Sequence, residues 1–148
     1  MPAKPPPAGY SGTPLPRKLG IKEGHRVGLV QAPPGFTLDE LPNHVTLHRG
    51  LRGTKPYDVL VFFTRSRTEL SRKFPVLASR LAQNGGLWIS WPKKASGVAT
   101  DVSESDVREI GLGSGLVDNK ICAVDATWSG LRFVIRLQNR RQVRVFRP

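Results

Sequence analysis

The chain has one cysteine, eleven acidic residues and no apolar run long enough to span a bilayer, and each shortage removes a class of function. With Cys122 alone, no internal disulfide can form and no Cys-rich metal site can be built, so a reducing compartment is expected. No stretch approaches the roughly 20 consecutive apolar residues of a membrane span, and the Pro-rich start lacks the apolar run of a signal peptide. A cytoplasmic protein without a membrane partner is the expectation. His25, His44 and His48 fall early in the chain at no ligand spacing and suggest no metal site. No catalytic triad can be assembled. Cys122, in an alternating strand, reads as a small buried residue, because a nucleophile would need a lowered thiol pKa and a nearby histidine. No internal repeat is visible.

Positive charge is what the chain has in surplus. Lys and Arg number 23 against 11 Asp and Glu, a formal net charge of +12. That balance points toward anionic partners: a phosphate-bearing ligand, nucleic acid or an acidic protein. A length of 148 residues suits one domain with a full core. Residues 1–8 hold four prolines and almost nothing to bury, so they are expected to be disordered or extended. The domain is expected over 9–137. Residues 138–148, with Arg140, Arg141, Arg144 and Arg147 and no acid, read as an Arg-rich tail.

Between these ends the apolar pattern alternates strand and helix. Residues 26–32 predict a first strand and 45–48 a brief second one, with at most a short helix over 36–41. The strongest strand signal is 57–64, where five apolar residues run in a row, and it should be central. Behind it, Ser66-Arg67-Thr68-Glu69 has capping-box spacing, and Leu70, Phe74, Leu77, Ala78 and Leu81 recur at helical intervals, with Pro75 predicting a kink or restart. Asn84 and Gly85 read as the helix stop before a strand over 87–91 that is apolar on both faces. A second helix lies within 101–111, with Ser103 as N-cap and Asp106 in its first turn. Residues 120–125 and 131–137 predict an antiparallel hairpin. The expected fold is a single Rossmann-like α/β domain: a mostly parallel six-stranded sheet of order 2-1-3-4-6-5, with helices on both faces.

That element order resembles the class I methyltransferase sheet with one early strand and its helices removed. A closer resemblance lies in Gly9-Tyr10-Ser11-Gly12-Thr13-Pro14-Leu15, Trp91-Pro92-Lys93-Lys94 with Ser96-Gly97, Thr100-Asp101, Gly115-Leu116-Val117-Asp118 and Thr127-Trp128-Ser129-Gly130. Together these are similar to a bacterial family catalogued as domain of unknown function 3052, over roughly 9–137. What the resemblance implies is a Rossmann-like fold and no set activity. Against the methyltransferase pattern, the glycine cluster after the first strand has become Ala32-Pro33-Pro34-Gly35, and two prolines lack the N–H donor. The acid expected after the second strand to hold ribose hydroxyls is replaced by Arg49 or its neighbours. These departures argue against S-adenosylmethionine and imply no cofactor.

Ligands in open α/β sheets bind beyond the carboxyl ends of the strands. Arg65, Ser66 and Arg67 follow the central strand, while Lys93, Lys94, Ser96 and Thr100 follow its neighbour, so both basic loops should leave the same edge of the sheet. Taken singly these are solvated loop charges; as a cluster they form an anion pocket. Trp128 could stack on a base, with Arg140, Arg141, Arg144 and Arg147 as further nucleic-acid contacts. The functional expectation is a non-catalytic module binding a phosphate-bearing ligand or nucleic acid. The alternative is a small enzyme in which Lys93 or Lys94, with Thr100 and Asp101, acts on a phosphorylated or acidic substrate.

Overall fold

A run of alternating side chains in Tyr57–Phe63 (β3) feeds both layers of the core and explains why this strand lies inside the sheet. Tyr57, Leu60 and Phe62 enter one apolar cluster, and Val59, Val61 and Phe63 enter the other, all essentially without exposure. The computed structural model describes residues 12–140, so the expectations for 1–8 and for Arg141, Arg144 and Arg147 lie outside the described residues. Around β3 stand Leu15–Lys18 (α1), Arg26–Val30 (β1), Thr46–Arg49 (β2), Arg67–Ser79 (α2), Leu81–Pro92 (β4), Glu104–Gly113 (α3), Leu116–Ala123 (β5) and Trp128–Ile135 (β6). The sheet order is β2-β1-β3-β4-β6-β5. Its first four strands are parallel and the last two form an antiparallel hairpin paired to β4. This is the expected Rossmann-like sheet.

The two layers differ in kind. Helices α2 and α3 share one face, where Leu70, Phe74, Leu77 and Val107 meet the sheet. The other face carries the single turn α1 and the 31–45 segment, through Leu19, Ile21 and Leu38. Both helices start as their sequences predict. Ser66 caps α2 by accepting from Glu69 N, and Ser103 with Asp106 closes a full capping box on α3. Helix α2 runs through Pro75 as one element instead of restarting there.

Several boundaries move. The 36–41 segment is a loop, with Glu40 and His44 at positive φ, and not a short helix. Strand β4 begins at Leu81, so Asn84, Gly85 and Gly86 lie inside it and do not stop the helix. A Cβ at Gly85 would lie 2.9 Å from the Asp58 carbonyl oxygen, where the β3–β4 register shifts, and one at Gly86 would overlap Arg132. Glycine is needed there for the close approach of neighbouring groups, which a sequence pattern reads as a stop. Strand β5 begins at Leu116, directly after Gly115 turns the chain at φ 92°, four residues before the expected start.

At the amino ends of β1 and β3, the buried Tyr57 ring lies between two guanidiniums, with Arg26 Cζ 4.6 Å and Arg80 Cζ 5.5 Å from its centroid. Its hydroxyl accepts from Arg52 N and lies 2.9 Å from His48 Nδ1. Burial, then the Arg26 and Arg52 charges, hold the His48 imidazole below its ordinary value. The unfolded chain therefore binds this proton more readily than the fold does, so stability is full above about pH 6.5 and is lost as pH falls through the folded value. Urea midpoints should drop between about pH 7 and pH 5, and His48→Gln should flatten that drop relative to the parent. Identical slopes in the two proteins would remove His48 from this role.

Candidate functional site

The strand order reverses between β1 and β3, and beyond their carboxyl ends the chains diverge and leave a cleft of about 860 Å³. Its floor is polar: Gln31 leaves β1, Thr64, Arg65 and Ser66 leave β3, and Glu69 reaches over from the first turn of α2. The rest of the lining is apolar, with Pro33, Pro34, Phe63, Val98, Ala99 and Trp128.

Gln31 is the least expected feature of the floor. It takes φ 61°, a left-handed conformation that costs a non-glycine residue and is often held at functional sites. Its side chain is held on three sides. Nε2 donates to Phe63 O (3.0 Å) and to Glu69 Oε1 (3.1 Å), while Oε1 accepts from Lys73 Nζ (3.1 Å). Thr64 Oγ1 donates to the same Glu69 oxygen at 2.7 Å. Glu69 has thus left the capping box that its spacing predicts: its own N–H bonds Ser66 Oγ, but its carboxylate turns into the cleft and Ser66 N bonds Thr64 Oγ1 instead. Burial pushes the Glu69 carboxyl up, but hydrogen bonds from Thr64 and Gln31 and the charges of Lys73 and Arg72 outweigh it. The group is held below the ordinary carboxylate range and is ionised at neutral pH.

The loop after β4 is fastened to the loop after β3. Thr100 Oγ1 and Asp101 N both donate to Arg65 O, and Arg67 N donates to Asp101 Oδ1 at 2.8 Å. The two loops therefore leave the same edge of the sheet, as their order implied, and the fastening places Val98 and Ala99 at the cleft mouth.

The residues singled out in the sequence divide accordingly. Arg65, Ser66 and Trp128 line the cleft. Arg67 does not; its guanidinium pairs with Asp106 (3.0 Å) and Glu109 (3.5 Å) on α3, tying the two helices together. Ser96 Oγ closes its own turn, donating to Lys93 O and accepting from Val98 N, so it holds the loop instead of facing the cleft. Lys94 lines a separate hollow with Trp91 and Thr100, and Lys93 is not part of the cleft lining. Arg140 donates from Nε to Ile135 O, capping the end of β6. Of the loop cations, Arg65 alone is in the cleft lining, while Arg67 pairs with α3 and Lys94 lines the separate hollow. Burial raises the Cys122 thiol against the opposing charges of Lys18 and Lys120, which keeps it in the protonated form.

Gln31 and Glu69 were missed as site residues. The signal was positional: one ends β1, the other opens the helix after β3, and the reversal of strand order brings them together.

This sheet, with its cleft at the reversal point, defines the class: a methyltransferase-type Rossmann-like domain. Among solved structures, the chain is similar to an S-adenosylmethionine-dependent methyltransferase from Aquifex aeolicus, with 19% identity over 81% of this chain and 87% of that one and a TM-score of 0.57. It is also similar to DhpI in complex with SAH, with 12% identity, coverage of 83% and 82%, and a TM-score of 0.59. The magnesium protoporphyrin IX methyltransferase of Synechocystis PCC 6803 with bound SAM gives 14% identity, coverage of 82% and 74%, and a TM-score of 0.55. No family model matches the sequence, and no curated protein matches it. At these identities the likeness shows the fold.

The neighbours correct the functional expectation. A non-catalytic module for phosphates or nucleic acid, with S-adenosylmethionine argued against, does not stand beside neighbours that include methyltransferases described as S-adenosylmethionine-dependent or with bound SAM, and a protein in complex with SAH. The error came from the turn after β1. The missing glycines and the two prolines without an N–H argued against S-adenosylmethionine, yet Gln31 itself adopts the left-handed conformation a glycine would supply, and an open cleft lies beside it. Among the described residues, no helix is long and apolar enough to cross a membrane.

Proposed function

We propose that the chain is an S-adenosylmethionine-dependent methyltransferase whose cofactor cleft is the one between the carboxyl ends of β1 and β3. One observation carries the reading: on a methyltransferase-type sheet, the open cleft lies at the reversal of strand order, with an ionised carboxylate and a strained residue in its floor. The motif resemblance to family 3052 is compatible with it, since that resemblance implies the same fold.

The residues present fit the cofactor. A volume of about 860 Å³ lies in the range of pockets that enclose small ligands. The cofactor brings two cationic centres, a carboxylate, ribose hydroxyls and a flat base. Glu69 is the one acid of the lining and would attract a cationic centre; Arg65 would attract the carboxylate; Phe63 is the aromatic residue left to the base. Arg49 stands at the end of β2, where an acid would grip the ribose, and its guanidinium donates to Phe36 O. The Ser66 hydroxyl and nearby backbone groups would hold the ribose in its place. When bound, the cofactor supplies an electrophilic methyl group. What the chain adds is position and charge: the Gln31 amide and Thr64 hydroxyl keep the Glu69 carboxylate aimed inward, and the apolar wall excludes water.

Calorimetric titration with SAM and SAH tests the reading. Saturable binding of either is expected, and SAH at about 100 times its Kd should add roughly 2.7 kcal/mol to the unfolding free energy. Glu69→Gln keeps the backbone cap and the carbonyl acceptor but loses the charge. It should weaken binding by at least about tenfold, since a charge-assisted hydrogen bond is worth roughly 1.5–3 kcal/mol. Silent titrations with both compounds at millimolar concentration would rule the proposal out.

A further inference from the structure

The cleft has a second half that the cofactor reading does not consume. Beside its polar groups, the lining has Pro33, Pro34, Val98, Ala99 and Trp128, an apolar wall with no ionisable side chain among them. Trp128 is the anchor of that wall. The indole packs edge-to-face with Phe63 at 5.3 Å and 82°, and Phe63 in turn meets Phe36 at 4.9 Å. The backbone carrying it is fixed as well. Thr127 N and Trp128 N both donate to Asp125 Oδ1 at 2.8 Å, an Asx-type turn, and Val124 N donates to Trp128 O. Val98 and Ala99, in the same lining, are held by the Thr100 and Asp101 contacts to Arg65. A fixed, partly open indole and small aliphatic groups in one cleft suit something flat.

We infer that this wall is the acceptor subsite of the proposed methyltransferase, and that it takes a flat, uncharged aromatic or heteroaromatic ring lying against Trp128. The inference rests on the cofactor reading for the word acceptor, but the subsite itself is defined by the wall. A charged or strongly hydrated acceptor would lose its water against proline, valine, alanine and indole and find no partner there. An aromatic ring loses little hydration and gains ring contacts with geometry of its own. Specificity therefore lies with Trp128 and with Ala99, which lines the same cleft. A bulky side chain at position 99 would fill the space.

Three tryptophans allow a direct test. Trp88 and Trp91 are buried, with Trp88 Nε1 bonded to Leu19 O, whereas Trp128 lines the cleft. In the full chain labelled with nitrogen-15, titration with quinoline should shift one of the three indole N–H signals, assigned through its loss in Trp128→Leu, and leave the other two in place. Benzoate, which is flat but charged, and cyclohexanol, which is neutral but not flat, should bind at least about tenfold more weakly. Ala99→Trp, on the exposed loop, should block quinoline. An unmoved Trp128 signal at millimolar quinoline, or equal affinity for all three probes, would overturn the inference. SAH is titrated separately, so loss of cofactor binding with quinoline binding intact would sink the function and leave the aromatic slot standing.

Discussion

Trp88→Ala is expected to remove about 3–5 kcal/mol of stability, because a fully buried indole leaves a cavity that its rigid surroundings cannot fill. Trp88 sits in the middle of β4 and belongs to the cluster on the α1 side of the sheet. Its Nε1 donates to Leu19 O at 3.0 Å, which fastens the 19–21 segment across that face. Two quantities are mixed in the alanine variant, and Trp88→Phe separates them. Phenylalanine keeps most of the apolar volume but leaves the Leu19 carbonyl unpaired in the core, a cost of roughly 1–3 kcal/mol. Denaturant unfolding of both variants measures the two contributions. A phenylalanine variant as stable as the parent would mean that the hydrogen bond does not fasten the segment.

The second large effect runs against helix propensity. Gly111 lies in the last turn of α3, where alanine would favour the helix by about 1 kcal/mol. Yet a Cβ there would overlap the ring of Phe133, which is fully buried and meets Phe74 edge-to-face at 5.3 Å. Both rings are fully buried, so any shift is taken up by the core. Overpacking of this kind costs about 1–3 kcal/mol, so Gly111→Ala should destabilise despite the propensity gain. The cause is identified by a double-mutant cycle with Phe133→Leu, which removes the atoms that collide. The combined variant should lose less than the sum of the single losses. Simple additivity would show that the overlap is not the source.

The sheet was legible because its order follows from signals that the core itself requires. Five consecutive apolar residues in β3 can only be buried on both faces, and the hairpin spacing after α3 sets the last two strands antiparallel. Ser66 and Ser103 marked helix starts because a cap is satisfied within four residues. What escaped was everything fixed by long-range contact. Gly85 and Gly86 are glycines on account of Asp58, Tyr57 and Arg132, none of which is local to them. Glu69 was legible as a capping residue and illegible as a cleft carboxylate, since its partners Gln31 and Thr64 meet it only across the reversal of the sheet. Arg67 carried the opposite error: a cation in a strand-end loop reads as a ligand contact until α3 presents Asp106.

Gln31 has a consequence for anyone who would make this protein more robust. A residue at φ 61° outside glycine is the first position a stability screen would relax, and Gln31→Gly suits that backbone better than the native residue does. The relaxed chain would lose the amide that links the end of β3 to Glu69 and Lys73. Selection for heat resistance and selection for ligand recognition would therefore pull this one position in opposite directions, and sequences drifting toward glycine here would mark lineages released from the second demand.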